Sequence, residues 1–336
     1  MSTATSYSIS LEGVSLGYPG KKELLSDIHV AIGAGEMVAL VGRNGSGKTT
    51  LLKAIARLHK EIGGAIHING KPISSYSMSE YAAQVAYAGT MKSITENLTV
   101  FELVSTGRYP YTNWWGSLRS SDREKIIEAI SFVGMESHIE SRVERLSDGE
   151  RQRVLIATAL VQDAQIILLD EPTAFLDIPN RIGISDVLHK LAGEGRTIVF
   201  STHDMESTFS YADRVWLIHD CSLIQGAPED LGLQKEFENA FRNEDLVFDD
   251  SNLKFRKKTI SRYSAKLQVA DQREFDWTRR ALERIAYTVL TSSDKAVPDV
   301  RISKKALSGD WIIEQKDTRH IVPSLYDMVK YLKKER

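Results

Sequence analysis

Eight consecutive residues carry the first chemical signal. Gly42, Arg43, Asn44, Gly45, Ser46, Gly47, Lys48 and Thr49 fit the spacing G-x-x-x-x-G-K-[ST]. The glycines let the backbone turn tightly with no Cβ in the way, so N–H groups can converge on phosphate oxygens. Lys48 brings a compact positive charge to the β- and γ-phosphates of a nucleotide such as ATP. The Thr49 hydroxyl is a ligand for Mg2+, and Thr50 follows it in the nucleotide-binding stretch. Downstream, Asp170 and Glu171 supply two carboxylates in sequence. Asp170 suits Mg2+, often through water; Glu171 suits the orientation and deprotonation of an attacking water. His203 is a candidate contact for the γ-phosphate. Ser147 and Gly149, at the start of a helical pattern, offer a second anion site.

These groups need elements to hold them. Residues 38–41 are four apolar residues in a row and read as a buried strand; Leu51, Leu52, Ile55 and Leu58 follow at helical spacing. Strand, glycine loop and helix are the context in which the motif binds phosphate, because the helix adds unpaired N–H groups and the positive end of its dipole. Residues 166–169 are a second buried strand, delivering Asp170 and Glu171 at its end. Residues 197–201 are a third, with Thr202, His203 and Asp204 after it. Ser147 reads as a helix N-cap with Glu150 three positions on, the capping-box pattern. Strands are also expected at 8–16, 24–32, 63–68 and 85–88, with a hairpin-like pair at 213–218 and 222–226. Tyr18, just upstream of the phosphate loop, can stack on an adenine ring or stand as a turn tyrosine with a wet hydroxyl. Gly107, Arg108, Tyr109, Pro110, Tyr111, Trp114 and Trp115 form an aromatic loop with an arginine. That composition suits a protein contact, or else a hydrophobic cluster under a loop.

Bulk properties bound the rest. At 336 residues there is room for about two domains. Hydrophobic content of 42% and charged content of 26% are those of an ordinary soluble protein. The net charge of −2 gives no global field for nucleic acid or anionic lipid. A single cysteine, Cys221, excludes an internal disulfide and suits a reducing compartment. The polar N-terminus has no apolar signal-peptide core, and no run of about 18 apolar residues spans a bilayer.

Lys48, Ser147, Glu171 and His203 together resemble the ATP-binding subunits of ABC transporters, over about residues 8–232. The resemblance implies an α/β fold. Its ABC-type P-loop ATPase domain has a mixed sheet core and a helical subdomain at about 91–160. It also implies that ATP, with Mg2+ on Thr49 and Asp170, lies between two copies paired head to tail. Ser147 and Gly149 of one copy then complete the phosphate site of the other. The loop of Ala174, Phe175, Leu176 and Asp177 looks like the family's dimer-contacting segment, His203 like its switch histidine, and Tyr18 sits where the family stacks adenine. The aromatic loop at 107–115 looks like that of importers of iron–siderophore, haem and cobalamin complexes, where it faces the permease. A substrate-binding protein is then an indirect partner, nucleic acid is not one, and the location is peripheral on the cytoplasmic face of the cell membrane.

Two positions depart from that pattern. Asp148 stands where the family usually has glycine, and an acid near a triphosphate repels it unless turned outward. Thr90 stands at the usual glutamine position, so a shorter hydroxyl replaces a Mg2+ and water contact. Two rival readings remain: a soluble ABC-type ATPase acting on nucleic acid or the ribosome, and a degenerate ATP-binding switch. The first usually needs two ATPase halves or a basic surface. The second has only Thr90 and Asp148 in its favour.

Residues 233–253 are charged and read as a helix plus linker. From 254 onward a small α+β domain of unknown role is expected, with no catalytic residue set. Its strands are expected near 260–264, 267–269, 300–302 and 311–314. Its first helix is expected at 276–287, with Trp277, Ala281, Leu282, Ile285 and Ala286 on one helical face. A last helix uses Leu325, Met328, Val329 and Leu332.

Overall fold

The computed structural model describes residues 7–20, 22–89, 97–112, 117–174, 176–242, 246–249, 253–257, 261–290, 294, 296–305, 309–315 and 318–335. The chain divides into two compact units, Met1–Arg256 and Lys257–Arg336.

The first unit is built on two sheets. Strands β1 (Tyr7–Leu16), β2 (Leu25–Gly33), β4 (Gly63–Ile68) and β5 (Lys71–Pro72) form an antiparallel sheet in the order β2-β1-β4-β5. The central sheet runs β10-β9-β3-β8-β7-β6. Its strands are β3 (Met37–Gly42), β6 (Val85–Ala88), β7 (Ile166–Leu169), β8 (Thr197–Thr202), β9 (Arg214–His219) and β10 (Ser222–Gly226). All neighbours are parallel except the β9–β10 hairpin.

The unbroken apolar runs of β3 and β7 follow from this position. A parallel strand inside a sheet is covered on both faces, so successive side chains enter different cores. Val38 and Leu40 join Trp216 and Val199 in the core shared with the antiparallel sheet and helix α1 (Lys48–Ile55). Met37, Ala39 and Val41 join Phe200 and Leu217 in the core covered by helices. Because β3, β7 and β8 are parallel, with Val41 beside Thr202 and Leu169 beside Phe200, their C-terminal ends share one edge. That edge is where an open parallel sheet places its ligand.

The helical part contains α2 (Met78–Ala82), α3 (Val100–Ser105), α4 (Ser120–Phe132) and α5 (Asp148–Leu160). The described part of the aromatic loop is packed into the fold, the second of its two expected readings. Residues Thr106–Tyr111 form a 3-10 turn keyed onto α5. A Cβ on Gly107 would lie 2.3 Å from the Thr158 carbonyl, so only glycine permits this approach. Arg108 is buried, pairs with Asp122 at 2.8 Å, donates to the Val161 carbonyl and lies over the Tyr111 ring. Within this turn Tyr109 faces solvent; residues 113–116, with Trp114 and Trp115, lie outside the described residues, as does Thr90.

After β7 come α6 (Ile178–Gly193), α7 (Met205–Tyr211), α8 (Pro228–Leu233), α9 (Glu236–Ala240) and a two-stranded sheet of β11 (Leu246–Asp249) and β12 (Lys254–Lys257). The stretch expected as a helix plus linker thus contains the helix α9 and, among its described residues, also the strand β11. Its charge hides spaced aromatics: Phe237 is buried in the helical core, 5.2 Å from Phe209, and Phe248 stacks between Phe237 and Phe255.

The second unit is a five-stranded sheet in the order β14-β13-β15-β16-β17. Its strands are β13 (Tyr263–Gln268), β14 (Tyr287–Leu290), β15 (Val300–Lys304), β16 (Trp311–Gln315) and β17 (Thr318–Val322). Helices α10 (Gln272–Glu283) and α11 (Leu325–Lys334) touch each other and feed one core, with Leu282, Met328 and Leu332 against Ile302 and Ile313. The first helix lies four residues earlier than expected. Asp271 caps it by accepting from the Glu274 N–H at 2.8 Å. Ala286 then takes a left-handed φ of 55° and turns Tyr287 into a strand. The buried face carries Thr278 rather than Trp277, because the Thr278 hydroxyl donates to the Glu274 carbonyl and needs no outside partner.

Candidate functional site

The phosphate loop sits at the end of β3. Gly45 and Gly47 have φ of 76° and 108°, values that disfavour any side chain there. A Cβ on Gly42 would meet Ser46 Oγ at 2.8 Å. Lys48 is buried, and its Nζ donates to the Gly42 carbonyl at 2.8 Å and to the Arg43 carbonyl at 3.2 Å. Burial pushes the Lys48 amine below its ordinary value, opposed by the negative charges of Glu171 and Asp170. The ammonium is thus held inside its own loop by carbonyl oxygens, the acceptors that phosphate oxygens would replace.

From Thr49 a continuous hydrogen-bonded line crosses three strand ends. Thr49 Oγ1 donates to Asp170 Oδ2 at 2.8 Å. Ser201 Oγ donates to Asp170 Oδ1 at 2.7 Å and accepts from the Glu171 N–H at 2.8 Å. His203 Nε2 lies 3.1 Å from Glu171 Oε1. Five residues from α1, β7, β8 and their loops are therefore fixed in one constellation. Glu171 holds φ at 52°, a left-handed backbone that a non-glycine residue adopts at a cost of about 1–2 kcal/mol. The Ser201 hydroxyl and the Ala174 N–H, which bonds the Glu171 carbonyl at 3.1 Å, hold it there.

The oxygen donors Thr49 Oγ1 and Asp170 fit a hard cation such as Mg2+. Ser46 Oγ is buried and has no hydrogen-bond partner among the described residues, an unsatisfied hydroxyl beside these donors in the same loop. Beside them, Tyr18 is half exposed. Its hydroxyl lies 3.4 Å from Thr50 Oγ1 and its ring 5.0 Å from the His59 ring. Arg43, Asn44 and Gly45 are exposed on the loop's outer side.

The second group stands elsewhere. Ser147 caps α5, and Glu150 closes the capping box by accepting from the Ser147 N–H at 2.8 Å. These hydrogen bonds hold the Glu150 carboxyl below its ordinary value. Among the described residues no hydrogen bond or ion pair joins Ser147 or Gly149 to the Lys48 cluster. Asp148 is turned outward, with 73% of its side chain exposed and Arg151 at 3.2 Å. Gly149 is buried, and a Cβ there would come within 3.0 Å of the Asn180 side chain. Asn180 belongs to the first turn of α6, whose N-cap is Asp177.

Three residues in or around this network were given no role by the sequence reading. Ser201 was visible only as the last residue of an apolar run. Arg181 and Asp204 pair at 3.1 Å, and Arg181 also donates to the Leu176 carbonyl, tying the segment after Glu171 to the His203 loop. Two hydrophilic residues 23 positions apart give no local signal.

Comparison with known proteins agrees with this geometry. Residues 25–174 match the family described as ABC transporter, and residues 267–333 match the family described as Iron ABC transporter C-terminal domain. The achromobactin transport ATP-binding protein CbrD of Dickeya dadantii is 37% identical over 225 residues, 66% of this chain and 83% of that protein. The petrobactin import ATP-binding protein FpuD of Bacillus anthracis is 38% identical over 239 residues, 70% and 87% of the two chains. Among solved structures, the dimeric bacterial ABC transporter cassette MJ0796 is 27% identical with a TM-score of 0.59, covering 66% of this chain and 98% of that one. With its phosphate loop, its carboxylate pair and its capped signature helix in one fold, the chain belongs to the ATP-binding proteins of ABC transporters.

Proposed function

We propose that the chain hydrolyses ATP as the energising subunit of an importer for iron chelates of the siderophore kind. The line from Thr49 through Asp170, Ser201 and Glu171 to His203 carries this reading. In it, Lys48 and the loop N–H groups bind the β- and γ-phosphates, replacing the carbonyls that now occupy the ammonium. Glu171 takes the proton of the attacking water, and His203 orients that carboxylate and meets the γ-phosphate. Magnesium, held by Thr49 and Asp170, neutralises charge on the phosphates when bound. Tyr18 stacks on the adenine.

Ser147 and Gly149 serve the nucleotide of a second copy, with Asp177 at the seam. This is supported by their exposure or packing away from the chain's own Lys48 cluster. Closure over ATP and release after hydrolysis then move permease subunits, which meet the helical part around 107–115. The substrate class rests on the names of relatives such as CbrD and FpuD and on the match of residues 267–333. Among the described residues no helix is long and apolar enough to cross a membrane. The relatives named as transport ATP-binding proteins support a peripheral place on the cytoplasmic face. The test is ATP turnover by the chain assembled with its permease in the presence of individual ferric chelates. Stimulation by a siderophore complex supports the reading; stimulation by none, with turnover intact, removes the substrate class.

A further inference from the structure

The two units carry opposite charge. Residues 257–336 hold 18 Lys and Arg against 11 Asp and Glu, a net +7, while residues 1–256 hold 25 against 34, a net −9. The near-neutral total conceals a basic unit. Six of its exposed cations stand on the outward side of the two-helix layer. On α10 the exposed residues after the first are Arg273, Trp277, Arg280 and Arg284, spaced at three or four positions along one face. On α11 they are Tyr326, Lys330, Lys333 and Lys334, at the same kind of spacing. Each helix thus shows one aromatic and three cations. Trp277 is 56% exposed with Arg280 over its ring, and Tyr326 is 73% exposed.

The acids of these helices are placed so that they do not cancel this face. Glu274 pairs with Lys304, Asp276 with Arg279, and Asp327 with Ser324 at the helix cap. Glu283 is half-buried, and the exposed Asp271 and Glu335 lie at the helix ends. Both helices touch and bury their other faces in one core, so the two stripes lie on one layer.

We propose that this face docks on a membrane surface rich in anionic lipid headgroups. Charge complementarity identifies the phosphate layer as partner. Trp and Tyr favour the headgroup level, where a flat ring with a polar edge meets both apolar and wet surroundings. The apolar sides of α10 and α11 are spent on the sheet, so the contact is superficial: the rings anchor and the cations attract. Preference for a membrane over nucleic acid rests on the transporter reading, which keeps the chain within reach of the bilayer. The domain would then hold the ATPase at the inner leaflet independently of the permease.

The test is co-sedimentation of the full chain, without nucleotide, with phosphatidylcholine vesicles and with vesicles also containing phosphatidylglycerol. Expected is at least about tenfold tighter binding to the anionic vesicles, lost as salt rises. Arg280→Glu with Lys330→Glu removes that gain. Trp277→Ala with Tyr326→Ala weakens binding but leaves its salt dependence. All four sites are exposed, so thermal melting and ATP turnover stay at wild-type values. Equal binding to both vesicle types, or no loss in the charge-reversed variant, overturns the proposal, as does tighter retention on a short DNA duplex than on anionic vesicles. None of these outcomes bears on whether the chain hydrolyses ATP.

Discussion

The Lys48 cluster and the Ser147 corner share one reaction scheme in the proposed function, but they are built in opposite ways. The first satisfies itself: Lys48 on loop carbonyls, Thr49 on Asp170, Glu171 on Ser201 and His203. The second is satisfied only for folding, as a helix cap, and shows its Ser147 side to solvent. A self-contained cluster can be assembled within one copy, whereas an exposed cap with a buried glycine behind it makes chemical sense when another molecule brings the phosphate. Under the proposed function, the difference assigns turnover within a copy to the cluster and association between copies to the corner.

Breaking the first region has the largest expected effect. Glu171→Gln should keep ATP binding and lower turnover by about 10²-fold or more, with closed dimers accumulating in size-exclusion chromatography with ATP. Turnover near wild type would remove Glu171 as the base. Breaking the corner comes next. Gly149→Val should collide with Asn180 and lower turnover by about tenfold while isolated chains still bind ATP; Asn180→Ala in the same chain should restore part of it. If Gly149→Val instead abolishes ATP binding by single copies, the division between the two regions is wrong.

Smaller effects sharpen the contrast. Ser147→Ala removes a cap and should destabilise the fold by about 1 kcal/mol in a denaturant titration, with loss of ATP-dependent dimerisation beyond what that explains. Lys48→Met should do the reverse: ATP binding is lost while the nucleotide-free fold is unchanged or more stable. A folded-state pKa below the ordinary lysine value means the unfolded chain holds more protons between the two values. The Lys48 contribution to stability therefore improves as pH rises through that window toward 10.5, and the wild type should gain on Lys48→Met over the same range. A wild type that instead loses ground to Lys48→Met as pH rises would show that burial is not what shifts the amine.

Much of the site was legible because its parts are local. The phosphate loop, the cap of α5 and the carboxylates after β7 each lie within a few residues, and strand ends need only a run of apolar side chains. Ser201 was missed because a hydroxyl ending a strand looks ordinary until Asp170 is set beside it by parallel register. The fold was legible to the extent that periodicity distinguishes faces. Trp277 and Thr278 are adjacent, so either fits a helical stripe, and size favoured the wrong one; the choice was made by the Thr278 hydroxyl bonding its own helix. Arg108 left a protein contact and a cluster under the loop both open, because its ion-pair partner, Asp122, is 14 positions away. Phe237 was lost in charged surroundings for the opposite reason, since one ring in an acidic segment does not make a pattern.

The backbone of Glu171 has a consequence for how such a protein could fall silent. It holds a conformation that glycine accepts without strain. Replacing it by glycine would relax the main chain at the very place where, in the proposed function, the reacting water is activated. A lineage released from selection for turnover meets no folding obstacle there, and an inert nucleotide clamp is one relaxed residue away.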